Sequence, residues 1–206
     1  LEEIRACRAA APNTTLEFFV HGALCVSYSG QCYLSAATRG RSANRGACAQ
    51  LCRLPYTVKD YKGDVIKSHC YALSLKDNDQ CGNIRELIEA GVRSFKIEGR
   101  LKDASYVKNI TAYYRKALDW LIEENTCQSA SLGKTTFSFT PNPEKTFHRA
   151  SCEAFVHGRP EHLAQLRTPK STGESIGTVA QKDFVRRALL IAPKDGITLH
   201  NGDGLA

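Results

Sequence analysis

The feature that most constrains this chain is a group of four cysteines in a segment with little hydrophobic periodicity. Cys25, Cys32, Cys48 and Cys52 fall within residues 25–52, among small and basic residues. A long loop in a compact domain is usually functional or held by something other than a hydrophobic core. Four thiolates can complete the coordination of one zinc ion or of an iron–sulfur cluster, and the spacing leaves both open. Incidental buried cysteines are the alternative interpretation.

The same segment carries positive charge without any acidic residue. The formal net charge is +7, and no Asp or Glu occurs from Phe18 to Lys59. A field of one sign attracts polyanions such as RNA. A solvated basic face, or charge that only balances the thiolates, is the alternative. The arginines predicted to steer or contact RNA phosphates are Arg39, Arg41, Arg45 and Arg53.

Apolar periodicity and turn residues predict an α/β domain. The expected elements are helices at 1–11, 83–90 and 103–125, strands at 16–24 and 92–100, and a hairpin turn at 61–64. Gly91 is placed to end the second helix and Asp103 to cap the third. Alternation of helices with strands favours a sheet with parallel strands.

Changes in composition predict three parts of the chain. Residues 1–125 form the α/β part with the cysteines, 126–150 a linker rich in Ser, Thr, Gly and Pro, and 151–206 the beginning of a small β-barrel. No stretch is long and apolar enough to span a membrane, and the first residues do not resemble a signal peptide, so we expect a cytoplasmic protein. The chain contains no methionine, and we expect it to be a fragment of a longer polypeptide.

Polar residues follow the second predicted strand of the α/β part. Glu98 and Arg100 lie at its carboxyl end, where α/β domains place substrate, and we predict that they position one. The alternative is that these two residues form only a surface ion pair at the strand exit. His21 follows the first strand near Cys25 and either lines the site or is a structural histidine. No serine nucleophile elbow and no His-Glu-x-x-His zinc motif is present.

Several runs resemble peptidase family U32, the collagenase-like proteases. They are Glu17-x-Phe19-x-x-Gly22-Ala23-Leu24-Cys25-x4-Gly30-x-Cys32-x-Leu34-Ser35, GRSANRGACAQLCRLPY at 40–56, SFKIEGR at 94–100 and KTFHRAS at 145–151. The resemblance is strong over residues 15–125 and is greatest to the branch that modifies ribosomal RNA. It implies the later part of a (β/α)8-type barrel, followed by the start of a small β-barrel domain.

The resemblance also implies a chemistry. It implies a [4Fe–4S] cluster on Cys25, Cys32, Cys48 and Cys52, and hydroxylation of a cytidine in 23S ribosomal RNA with prephenate as a small-molecule co-substrate. Some relatives take the fourth ligand from a later cysteine, so Cys70 or Cys81 could replace Cys52. Two other functions stay open: a collagenase-like peptidase, and a non-catalytic RNA-binding subunit that keeps the cluster for structure.

Overall fold

The computed structural model describes residues 1–28, 31–201 and 204 and contains four α-helices and eight strands among them. The helices are α1 (Glu2–Ala10), α2 (Leu34–Arg39), α3 (Ile84–Glu89) and α4 (Ala104–Glu123). The strands are β1 (Leu16–Ala23), β2 (Tyr56–Lys59), β3 (Val65–Cys70), β4 (Asp77–Asp79), β5 (Val92–Ile97), β6 (Ser151–Cys152), β7 (Gly177–Asp183) and β8 (Ala188–Pro193).

A four-stranded sheet in the order β5-β1-β4-β6 organises the first part of the chain. β1 pairs with β5 in parallel, as the alternation of helices and strands predicts. The three-residue strand β4 pairs with β1 in antiparallel and with β6 in parallel, so the sheet is mixed. The α/β class is therefore confirmed, while the strands of the described residues form no closed barrel.

The core lies where α3 and α4 cover this sheet. Its fully buried side chains include Val20 of β1, Leu87 of α3, and Ile110 and Leu121 of α4. Helix α4 begins where the sequence predicts, because the Asp103 carboxylate accepts a hydrogen bond of 2.7 Å from the backbone N–H of Tyr106. Burial of these apolar side chains, each contributing about 1.5–3 kcal/mol, is the main stabilisation of the sheet.

Gly91 ends the α3 region with a backbone that a larger residue would not fit. Its φ is +108°, and a Cβ there would lie 2.8 Å from Cγ of Arg8. Arg8 of α1 donates a 2.9 Å hydrogen bond to the Gly91 carbonyl, so this glycine also docks the first helix.

Residues after the predicted linker complete the edge of the sheet. β6 pairs with β4, Lys76 donates its backbone N–H to Leu163, and Tyr71 donates to Leu166. The division of the chain at residue 150 stays a prediction, but these hydrogen bonds join residues up to 166 to the first sheet. The later strands β7 and β8 form a separate antiparallel hairpin within the segment predicted to begin a β-barrel, and the barrel itself stays a prediction.

No helix of the described residues is long and apolar enough to cross a membrane.

Candidate functional site

Three chain segments meet at the end of the sheet where the parallel strands β1 and β5 finish, which is called the sheet edge below. Ala23, the last residue of β1, pairs with Asp77, the first residue of β4. On the other side of β1, the backbone N–H of Glu98 donates a 2.9 Å hydrogen bond to the carbonyl of His21. Cys25 follows β1 by two residues, so the first cysteine leaves the sheet at the same edge at which Glu98 follows β5.

Gly22 brings Glu98 close to the backbone of β1. Its φ is +135°, and a Cβ at this position would lie 2.8 Å from Cβ of Glu98 and 3.2 Å from its Oε2. Only glycine allows this contact without displacement. The prediction that Glu98 lies at a strand exit therefore has a location beside β1, while its role with substrate stays a prediction. Arg100, two residues on, is exposed.

Arg53 fastens the cysteine segment, defined here as residues 24–55, to this edge. Its Nη1 donates to the Ser74 hydroxyl at 2.9 Å and to the Leu75 carbonyl at 2.7 Å, and its Nη2 donates to the Leu24 carbonyl at 2.9 Å. Three of its five N–H donors are thus used within the protein. The geometry gives this arginine a structural role, and its predicted contact with RNA phosphate stays untested.

Cys52 lies within electrostatic reach of the other three predicted ligand cysteines. Burial raises the pKa of the Cys52 thiol, the Arg53 guanidinium lowers it, and Cys48, Cys25 and Cys32 each raise it further. The backbone N–H of Gln50 donates to Sγ of Cys48 at 3.3 Å. Hydrogen bonds of this kind to ligand sulfur tune iron–sulfur clusters.

The four cysteines supply only thiol donors, the kind of ligand that zinc and iron–sulfur clusters both take. Zinc–sulfur bonds of about 2.3 Å bring four ligand sulfurs to within roughly 4 Å of each other. Among the residues that the structure describes, no three His, Cys, Asp or Glu side chains are placed to hold a single ion. A cluster of four irons is the other metal group that four cysteine thiolates commonly bind. The chemistry of this donor set, four thiols beside a cation, fits such a cluster.

The two alternative fourth ligands lie in other surroundings. Cys70 is buried in β3 with 2% of its surface exposed. Burial raises the pKa of the Cys81 thiol to about 11, partly offset by a hydrogen bond with Tyr113 and reinforced by Asp79. A raised pKa disfavours the thiolate that a metal requires. The pKa of the Cys52 thiol is raised as well, so Cys52 as the fourth ligand stays a prediction, supported by its electrostatic interaction with Cys25, Cys32 and Cys48.

The remaining three arginines point away from the fold. Arg39 lies in the last turn of α2, and Arg41 and Arg45 follow it in the chain. All three are exposed, and within the described ranges their side chains have no hydrogen bond or ion pair. They are therefore accessible to an anion, and their contact with RNA phosphates stays a prediction.

His21 is enclosed and engaged. It is 4% exposed, and its Nδ1 lies 3.3 Å from the Tyr114 hydroxyl and 3.8 Å from Oδ1 of Asp79. The Tyr114 hydroxyl also lies 2.8 Å from the Val20 carbonyl and accepts from the Gln80 N–H at 3.0 Å. This network joins β1, β4 and α4, so the structural interpretation of His21 fits the geometry better than a place in the site.

The sequence reasoning missed a second group of charges near the edge. Nη1 of Arg149 pairs with Oδ1 of Asp77 at 3.0 Å in a nearly buried position. Nζ of Lys102 lies 3.3 Å from the centre of the Phe147 ring, and the Arg149 guanidinium lies 4.7 Å from it. The KTFHRAS run contains Phe147 and Arg149, and its mixture of aromatic and basic residues was the available signal.

Comparison with known proteins places these features in a family. A model of Peptidase family U32 matches residues 1–166. The 23S rRNA 5-hydroxycytidine C2501 synthase of Escherichia coli (strain K12) is 53% identical over 208 residues, covering 100% of this chain and 31% of that protein.

Two other relatives carry different names. A collagenase of Porphyromonas gingivalis is 46% identical over 113 residues, covering 55% of this chain and 31% of that protein. The tRNA hydroxylation protein P1 of Bacillus subtilis (strain 168) is 34% identical over 179 residues, covering 82% of this chain and 41% of that protein. The chain thus spans less than half the length of these relatives. No solved structure matches it.

Proposed function

The chain belongs to peptidase family U32, and on that premise we propose that it is part of an enzyme that hydroxylates a cytidine in 23S ribosomal RNA. The observation that carries the proposal is 53% identity, over the whole chain, to a protein named for that product. The tRNA hydroxylation protein of Bacillus subtilis, at 34% identity over 179 residues, supports RNA hydroxylation more widely.

The proposal includes a [4Fe–4S] cluster on Cys25, Cys32, Cys48 and Cys52. Its support is the electrostatic interaction of Cys52 with the other three thiols and the N–H donor at Cys48. When bound, such a cluster supplies electron transfer to the reaction. The chain's own contribution is to hold the thiolates at the sheet edge, through the hydrogen bonds of Arg53 to Leu24 and Leu75.

Other residues are proposed to hold substrate. Arg39, Arg41 and Arg45 bind phosphates, because their guanidinium groups are exposed and unpaired in the described chain. Glu98 accepts a hydrogen bond from a nucleotide, with Arg100 beside it; the support is the position of Glu98 against Gly22 at the end of β1. Prephenate as the co-substrate rests on the family resemblance alone.

The wider architecture and location are part of the same proposal. β1 and β5 are parallel neighbours, and α3 precedes β5, which is the repeating unit of a (β/α)8-type barrel. The antiparallel strand β4 departs from that repeat. We place the sheet in the later part of such a barrel and the whole protein in the cytoplasm, where ribosomal RNA is available.

A peptidase is the second candidate, since the Porphyromonas gingivalis relative is named a collagenase. A cysteine peptidase needs a histidine base beside a free thiolate. His21 is instead engaged with Tyr114 and Asp79. Gelatin cleavage that survives the double variant Cys25→Ala with Cys32→Ala would favour the peptidase.

Mass spectrometry of 23S ribosomal RNA tests the hydroxylase directly. Cells lacking the gene should lose the cytidine that carries one additional oxygen atom. The intact gene should restore it, and the gene with Cys25→Ala should not. Ribosomal RNA that is unchanged by deletion would remove the proposal. The variant Cys7→Ala, at an exposed cysteine outside the four, is the matched control.

A further inference from the structure

Two exposed tyrosines flank a predicted cluster ligand. Tyr28 lies between Cys25 and Cys32 with 82% of its surface exposed, and Tyr33 directly follows Cys32 with 68% exposed. A tyrosine ring that is exposed to water contributes little to the stability of the fold. Neither ring has a hydrogen bond or ring contact among the described residues. Both rings are therefore accessible to a ligand with a flat face.

The backbone around these rings is fixed by local hydrogen bonds. The Tyr28 carbonyl accepts from the Gln31 N–H at 3.1 Å, and the Tyr33 carbonyl accepts from the Ala37 N–H at 2.9 Å, so that Tyr33 opens α2. The Ser35 hydroxyl accepts from the Ala49 N–H at 3.0 Å, which ties α2 to the second pair of cysteines. A backbone hydrogen bond thus holds the chain at each of the two tyrosines, and α2 is tied to the later cysteines.

Free cations lie on the same segment. Helix α2 has six residues, so Tyr33 and Arg39 are separated by roughly 9 Å of helix axis. Gly40, with φ of +63°, ends the helix, and the Arg41 N–H bonds back to the Ser35 carbonyl at 3.2 Å. Arg45 follows in a short 3-10 turn. Exposed rings and unpaired guanidinium groups therefore occur together, with no acidic residue between Phe18 and Lys59.

We infer that Tyr28 and Tyr33 are stacking platforms for unpaired bases of an RNA strand whose phosphates the neighbouring arginines bind. Every base has a flat π face, and aromatic rings in a basic groove are the usual way of holding single-stranded nucleic acid. Paired bases of a duplex are already stacked, and RNA recognition by stacking targets loops, bulges and ends. The inference rests on the proposed function and deepens it: the substrate is a single-stranded or opened segment, not a duplex.

The test uses the intact protein, purified without oxygen, with a fluorescent single-stranded oligoribonucleotide and its duplex as probes. Tyr28→Leu and Tyr33→Leu keep apolar bulk but remove the π face. Loss of one stacked base should raise the Kd for the single strand by about fivefold or more. The Kd for the duplex should stay unchanged, as should the slope of the logarithm of affinity against the logarithm of salt, since no phosphate contact is lost.

Controls separate stacking from damage to the fold. Tyr28→Phe and Tyr33→Phe keep the ring and should bind as the wild type does. Phe184→Leu removes a ring that is 85% exposed on the β7–β8 hairpin and should change nothing. Iron content should be equal in all variants. Arg39→Gln should instead reduce the salt slope by about 0.7.

The outcomes distinguish this inference from the function on which it rests. Unchanged single-strand affinity in both leucine variants, or equal losses for strand and duplex, would overturn the stacking inference and leave the hydroxylase untouched. Weakened single-strand binding in a protein whose deletion leaves the hydroxylated cytidine of ribosomal RNA in place would support stacking and remove the hydroxylase.

Discussion

The sheet with its helices packs nine buried side chains into one cluster, whereas the cysteine segment buries only Leu51 and Ser35 among its described residues. The first region is stabilised by apolar burial and helix packing. The second is attached by the guanidinium of Arg53 and by short turns. A segment of this length without a core needs another source of order, and the metal cluster proposed for its four thiolates would provide one. The sheet with its helices is thus the scaffold, and the cysteine segment attached to it carries the candidate site.

The largest expected effect comes from removing ligands in the cysteine segment. The double variant Cys25→Ser with Cys48→Ser should lose its iron and all RNA hydroxylation, because a cluster with two ligands missing is not retained. Circular dichroism should show unchanged helix content, since α3 and α4 belong to the other region. Iron at wild-type levels in this variant would contradict the proposal that Cys25 and Cys48 hold the cluster. Cys7→Ser, in α1, is the control and should keep about four irons per chain.

Truncation in the core of the sheet should have the next largest effect, on stability. Leu87 is 0% exposed in α3, so Leu87→Ala should lower the free energy of unfolding by about 2–5 kcal/mol. Leu54, 46% exposed in the cysteine segment, is the matched control, and Leu54→Ala should change it by about 0.5 kcal/mol or less. Urea denaturation measures both. Equal losses would show that the two regions share one core.

Loss of the connection between the regions should have a smaller effect. Arg53→Gln removes a charged donor from Ser74, Leu75 and Leu24 and should cost about 2 kcal/mol of unfolding free energy, because hydrogen bonds from a charged group to partly buried acceptors are lost. It should also speed proteolysis between residues 24 and 55. Arg45→Gln, at an exposed position with no such bonds, should do neither. A stable, protected Arg53→Gln protein would contradict the structural role given to this arginine.

The smallest expected effect is a dependence of stability on pH inside the sheet region. Burial raises the pKa of the Asp79 carboxyl group. Hydrogen bonds from His21, the Cys81 N–H and Tyr114 lower it by more, so that the pKa lies below its ordinary value. Its contribution is therefore full above about pH 4 and is lost as the pH falls through the lower folded pKa. The difference in unfolding free energy between wild type and Asp79→Asn should shrink on acidification. A constant difference would show that Asp79 is not ionised in the fold.

The sequence predicted the regular parts of the scaffold well. The Asp103 cap, the stop at Gly91 and the hairpin turn at 61–64 depend on local chemistry, and each has the expected structure. β4 was missed because Asp77–Asp79 has no apolar pattern. It forms a strand because it lies between β1 and β6, with Asn78 donating to the Phe19 carbonyl at 2.8 Å.

The site was only partly predictable, because much of it depends on contacts between residues that are far apart in the sequence. Cysteine spacing and the absence of acids located the segment. The acceptors of Arg53 are a hydroxyl and two backbone carbonyls, which have no sequence signature. The burial of His21 depends on Tyr114, ninety-three positions away. Long-range polar contacts of this kind follow from the fold and not from local pattern.

Hydrogen exchange on the intact protein, with and without its cluster, tests the central claim most directly. Removal of the cluster should accelerate amide exchange many-fold in residues 24–55, while β1, β5 and α4 keep their protection, because apolar burial and not the metal stabilises them. Equal exchange in the two forms throughout residues 24–55, or equal loss of protection across the whole sheet, would contradict a cysteine segment that is held by a cluster on an independently stable scaffold.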